Sequence, residues 1–122
     1  VDVIMGSVNL GMVGVFEAAK ATTDKKILIT AKYSDKTSFG PDNYITALLY
    51  DFADPLVQII TRIKAGETGG YYPLGFDTGV KLQLPLMNVS AEVEAQVEEI
   101  TQKVISGEIV VVKDSTEVTS AK

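Results

Sequence analysis

Three observations on this sequence predict an α/β fold built from βαβ units around a mostly parallel sheet. Apolar runs without breakers recur at residues 1–5, 27–31 and 44–50, each short enough for a strand buried on both faces. Helical stripes alternate with them: Met12, Val15, Phe16 and Ala19, then Leu56, Ile59, Ile60 and Ile63, both at i, i+3, i+4, i+7. A strand, a helix and a second strand also fall within residues 1–31, the span of one βαβ unit, whose crossover is nearly always right-handed.

The first strand runs into a loop of small residues, Gly6-Ser7-Val8-Asn9-Leu10-Gly11, before the first helix. Free N–H groups at such a strand–loop–helix junction suit an anionic or hydroxyl-rich ligand. Glycines at 6, 11 and 14 match neither the dinucleotide fingerprint nor the P-loop. A tight strand-to-helix turn is the favoured explanation for them. Asp24-Lys25-Lys26 turns the chain into the second strand, whose carboxyl end carries Lys32-Tyr33-Ser34-Asp35-Lys36. Open α/β sheets bind ligands outside the carboxyl ends of their strands, so this segment and Gly6-Ser7 are the place to look for a site. A solvated loop with Tyr33 as a lid on the core is the alternative.

Residues 37–43 are turn-rich and read as a crossing segment. Residues 44–50 then form the central strand. A continuous helix over 44–65 would place Pro55 in its interior, at ~3 kcal/mol or more, so a strand followed by a helix is predicted. That helix is expected to start with Asp54 as its cap and Pro55 as its first residue, and to stop at Gly66 in a left-handed conformation. Residues 71–76 and 80–84 read as two extended pieces around Asp77-Thr78-Gly79, a hairpin or a turn between sheets, with Pro73 at an edge. Ser90 caps the last helix, Glu92 and Glu94 sit in its first turn, and Val93, Val97, Ile100 and Val104 form its stripe up to Gly107. Residues 109–112 read as a terminal strand and 114–122 as a frayed polar tail, leaving 1–113 as a single α/β unit.

The composition narrows the function. With 46% hydrophobic and 22% charged residues among 122, the chain folds around a core. Net charge −5 and a pI near 4.6 argue against nucleic acid as a partner. With neither Cys nor His, Ser-His-Asp and Cys-His nucleophile systems and the usual zinc sites are absent. No apolar run is long enough to span a membrane, and the chain opens on Val1, from which a piece of a longer protein is expected.

Several segments in order carry a resemblance: VDVIM…GMVGVFEAAK, SDKTSFGPDNYITALLY, AGETGGYYPLGFDTGVKL and VSAEVEAQVEEITQKVISGEI. Together they resemble the C-terminal part of the basic-membrane-protein (Bmp) family, substrate-binding lipoproteins of bacterial ABC transporters that include purine-nucleoside binders. The resemblance implies a type I periplasmic-binding-protein fold of two α/β lobes with ligand in the cleft between them. It also implies that this chain is a C-terminal fragment whose segment 40–50 crosses between lobes. A lipidated N-terminus outside the chain would anchor the protein at the cell surface or in the periplasm, and an ABC permease would be its partner. Nucleoside-binding members read Asp-Ser-Asp after the second strand, the first Asp holding the ribose hydroxyls. Here the stretch is Tyr33-Ser34-Asp35. Where members carry a Lys near the end of the crossing strand, this chain has Tyr50-Asp51, and the base-stacking aromatic corresponds loosely to Met5.

The expected function is therefore non-enzymatic solute binding in an ABC importer, with no cofactor. Tyr33 and Tyr50 would stack a ring; Met5, Ser34, Asp35 and the N–H groups of Gly6 and Ser7 would complete the site. A structural or surface-interaction member without a small ligand is the second reading. A third is an α/β enzyme using Asp35, Asp42 or Asp51 as base or magnesium ligand. The isolated chain is expected to self-associate through the Leu56–Ile63 stripe.

Overall fold

In the computed structural model, residues 1–76 and 78–112 are described. Four strands form one sheet in the order β1 (Val3–Met5), β2 (Leu28–Tyr33), β3 (Tyr44–Tyr50) and β4 (Val80–Leu82). β1, β2 and β3 are parallel, with Ile4 opposite Ile29 and Ala31 opposite Ala47. β4 runs antiparallel to β3, with Leu48 opposite Leu82. The sheet is thus mostly parallel, and β3 has the expected bounds.

α1 (Met12–Ala21) makes the β1-to-β2 crossover and closes one face of the sheet. Its Met12, Phe16 and Ala19 pack with Ile29, Ala31, Tyr44 and Ala47 into the core. The β2-to-β3 connection, residues 34–43, has no α-helix, only a short 3₁₀ turn at Thr37–Phe39. That turn places Phe39 edge-on to Phe16, ring centroids 6.0 Å apart. Asn88, at φ +59°, ties the far side together by donating to the carbonyls of Pro41 and Tyr44.

α2 (Ala53–Lys64) starts earlier than expected. Asp54 is not its cap: the Asp51 carboxylate accepts from the Ala53 N–H at 3.0 Å, and Asp54 and Pro55 lie within the first turn. Aspartate two residues before a free N–H closes the same kind of turn as a cap does, and Pro55 gives up no helical bond there. The end is as expected. Gly66, at φ +96°, donates to Ile63, and Glu67 donates to Arg62, which is the Schellman pattern.

The segment 71–76 is not a strand. Pro73 lacks a donor, and Tyr72 is drawn to α2 by a 2.7 Å bond from its hydroxyl to Gln58 and by the Arg62 guanidinium 5.3 Å from its ring centroid. The second extended piece pairs with β3, and it meets the first at the turn, where the Thr78 and Val80 N–H groups both donate to the Gly75 carbonyl at 3.0 Å. α3 (Ala91–Ile105) is capped by Ser90, whose hydroxyl accepts from Val93 at 3.3 Å. Residues 109–112 form no strand. Gly107, at φ +79°, ends the helix, and the Ile109 N–H turns back to Lys103, away from any sheet edge. The predicted tail at 114–122 lies outside the described residues.

Neither α2 nor α3 buries its apolar stripe. Leu56 remains 57% and Ile63 60% exposed, and Pro55 is the one buried residue of α2.

Candidate functional site

Because β1, β2 and β3 are parallel, their carboxyl ends lie along one edge, and all seven predicted site residues are on it. Met5 ends β1 and is followed by Gly6 and Ser7; Tyr33 ends β2 and is followed by Ser34 and Asp35; Tyr50 ends β3. The structure brings Tyr33 and Tyr50 together, ring centroids 5.0 Å apart and planes inclined by 40°. Phe52 extends the pair, its centroid 5.7 Å from that of Tyr50. Sequence reasoning missed Phe52; its spacing of two from Tyr50 was the available signal. Met5, Gly6 and Ser7 share the edge, but β2 separates them from Tyr50.

Tyr33 is 48% exposed and sits at φ +76°. Left-handed backbone at a bulky residue costs on the order of 1–3 kcal/mol and persists only where surrounding contacts fix it. Those contacts follow directly in sequence. Asp35 Oδ1 accepts from the Thr37 N–H at 2.7 Å and from the Thr37 hydroxyl at 2.5 Å, while Oδ2 accepts from the Gln83 amide at 2.9 Å. The Thr37 hydroxyl and N–H, then Gln83, hold the Asp35 carboxyl below its ordinary range, so it is ionised at neutral pH. The Lys36 ammonium donates to the Ser34 hydroxyl.

These bonds change the roles read from sequence. The Gly6 N–H is not free, since it donates to the Thr30 carbonyl at 2.8 Å. A Cβ at Gly6 would come within 2.3 Å of the Met12 thioether, so a larger residue there would require the end of that side chain to move. Asp35 has its oxygens engaged by Thr37 and Gln83, and Ser7, Ser34 and the Tyr33 ring are other exposed groups at this edge.

The edge is open. The largest depression described, about 530 Å³, lies elsewhere, between the end of α2 at Arg62 and Ile63 and the loop Gly66–Tyr72. A second of about 200 Å³ lies beside Asp51, Asp54 and Lys81. Neither includes any of the seven residues. Among the described residues, no group of three or more acidic side chains is gathered as a metal site, and no helix is long and apolar enough to cross a membrane.

The fold is thus an α/β one, with the rings of Tyr33 and Tyr50 in contact at the carboxyl ends of two of its parallel strands. Residues 1–115 match the family described as ABC transporter substrate-binding protein PnrA-like, Bmp. The chain belongs to this family, and the mixed α/β, mostly parallel sheet agrees with the periplasmic-binding-protein fold. The family is one of substrate-binding proteins, not a class of enzymes. No curated protein matches the chain.

Proposed function

We propose that this chain supplies one wall of a solute-binding cleft in an ABC importer, that its ligand is a nucleoside or a related ring compound, and that it catalyses no reaction. The observation that carries this reading is the Tyr33–Tyr50 pair at the carboxyl ends of adjacent parallel strands. A planar ring laid on it gains ~0.5–1.5 kcal/mol beyond area burial. The exposed stripes of α2 and α3 support reading 1–113 as the C-terminal portion of a two-lobe protein whose remaining chain covers them. An ABC permease is the partner, and a lipidated N-terminus holds the protein at the cell surface or in the periplasm.

Ring recognition without ribose recognition follows from the residues. Tyr33 stands where nucleoside binders carry the carboxylate for the ribose diol, and Asp35 is already turned to Thr37 and Gln83. A charge-assisted hydrogen bond is worth ~1.5–3 kcal/mol, so its loss lowers affinity roughly tenfold to hundredfold. Calorimetry on the full protein is expected to show free bases binding as well as or better than adenosine, guanosine and inosine. Submicromolar binding of a riboside, lost in its 2′-deoxy analogue, would mean that another residue reads the diol.

The exposure of Met5 and Tyr33 at the edge, 78% and 48%, favours a second reading, a family member that acts through its surface. Mass spectrometry of metabolites that co-purify with the full protein separates the two: a nucleoside or base supports the first, none the second. The exposed Leu56, Val57, Ile60 and Ile63 face leads us to expect that the chain alone self-associates. Light scattering is expected to give a dimer or larger; a monomer at high concentration contradicts this.

A further inference from the structure

The carboxamide of Gln83 joins two groups that belong to different parts of the sequence. Its Nε2 donates to Asp35 Oδ2 at 2.9 Å, and its Oε1 accepts from the Tyr44 hydroxyl at 2.5 Å. The orientation is forced, because an ionised carboxylate can only accept, so the amide NH₂ must face Asp35 and leave the oxygen for Tyr44. Gln83 is itself fixed by backbone. Its N–H donates to Ala47 at 2.9 Å, and its carbonyl accepts from the Thr46 hydroxyl at 2.7 Å. Tyr44 is 1% exposed and lies in the core cluster with Phe16. A rigid strand and a buried ring therefore hold one carboxylate oxygen of an exposed loop. The other oxygen closes the turn onto Thr37. Directly before that turn stand Ser34 and Tyr33, the latter in its left-handed backbone conformation.

We infer that Gln83 is a positioning residue for the ligand edge: it anchors Asp35, and Asp35 fixes the turn that presents Tyr33 and Ser34. This rests on the proposed ligand site for its functional meaning, while the anchoring itself does not depend on any ligand. Asp35 is thereby a scaffold carboxylate, with both of its oxygens engaged by the protein. Because the same Gln83 is bonded to β3, the turn that follows Tyr33 is tied to the strand that ends in Tyr50 by one side chain, in addition to the β2–β3 pairing.

Reversing the polarity of the pair tests this in the full chain. Gln83→Glu puts a carboxylate against Asp35 while keeping the acceptor for Tyr44. The Thr37 amide is then expected to exchange with solvent at least about tenfold faster, with shifted signals at Tyr33 and Ser34. In the double variant Asp35→Asn, Gln83→Glu, the new amide NH₂ at position 35 donates to the new carboxylate at position 83, while the amide oxygen still accepts from Thr37. Protection and signal positions are expected to return to wild type, which a general loss of stability would not do. Wild-type exchange in Gln83→Glu, or a folded double variant without recovery, overturns the inference. If Gln83→Glu does not fold, the double variant decides alone, and its failure to fold counts against the pairing. Adenine and inosine titrations of the same proteins form a separate arm. If binding occurs, the single variant is expected to weaken it by about tenfold and the double variant to restore it; ligand binding that ignores both changes overturns the positioning role. If wild type binds neither, the proposed ligand reading fails while the exchange measurements still decide the anchoring.

Discussion

Phe16→Ala is expected to lower the free energy of unfolding by about 3–5 kcal/mol, the range for removing a fully buried aromatic. Phe16 is 0% exposed and is the ring on which the core turns. Phe39 meets it edge-on at 6.0 Å, and Tyr44 lies 6.3 Å away at 32°. Gly40 passes so close that a Cβ there would lie 2.9 Å from the Phe16 ring. Truncation thus removes contacts to α1, to the crossing segment 34–43 and to β3 together, and the packed backbone at Gly40 limits collapse into the space. Against the ~5–15 kcal/mol that holds a typical domain together, the loss is large enough to unfold much of the protein. Urea denaturation followed by circular dichroism measures it. A change below about 1 kcal/mol would mean that α1 does not close this face of the sheet.

The second large effect is expected at Gly79, a residue far from the core. It has φ +91°, and an added Cβ would lie 2.7 Å from the Asp51 carbonyl oxygen and 2.7 Å from Pro55 Cγ. Its own carbonyl accepts from the Asp51 N–H at 2.9 Å, which locks the entry of β4 against the start of α2. An L-residue there bears ~1–2 kcal/mol for the left-handed backbone and ~1–3 kcal/mol for overpacking against atoms that cannot move. Gly79→Ala is therefore expected to destabilise by about 2–5 kcal/mol in the same assay. Gly14→Ala serves as the control, since no atom lies within 4 Å of its added Cβ. In the first turn of α1 that change is expected to be neutral or to stabilise by up to about 1 kcal/mol. Equal losses at the two glycines would place the effect in general glycine chemistry and not in the close approach at Gly79.

Elements whose signals are local were legible in the sequence. β3 has an uninterrupted apolar run, α3 has Ser90 at one end and Gly107 at the other, and α1 has a stripe that matches its buried face. The N-cap of α2 is Phe52 and not Asp54, with the Asp51 carboxylate accepting from Ala53; two aspartates stand near one helix start, either able to accept from a free N–H, and only the path of the chain out of β3 chooses between them. Residues 109–112 have the composition of a strand, yet strand formation requires a neighbouring edge, which no local pattern supplies. At the site, parallel pairing brings the carboxyl ends of β2 and β3 side by side, which the βαβ order predicts, but the register sets Tyr33 opposite Leu49, so the contact of its ring with Tyr50 was not legible. Nor was the engagement of Asp35, because Gln83 lies 48 residues away and carries no motif. The Gly6 N–H was read as free for the same reason: its acceptor, Thr30, belongs to the neighbouring strand.

The central claim is that a ring ligand binds at the carboxyl edge of β1, β2 and β3. Backbone amide signals of the ¹⁵N-labelled full protein, recorded while adenine and then inosine are added to millimolar concentration, test it most directly. The account predicts that shifts concentrate at Ser7, Tyr33, Ser34, Tyr50 and Phe52 and saturate with ligand. Shifts concentrated instead around Arg62 and Gly66–Tyr72 with a silent carboxyl edge, or no saturable shift at all, would contradict it.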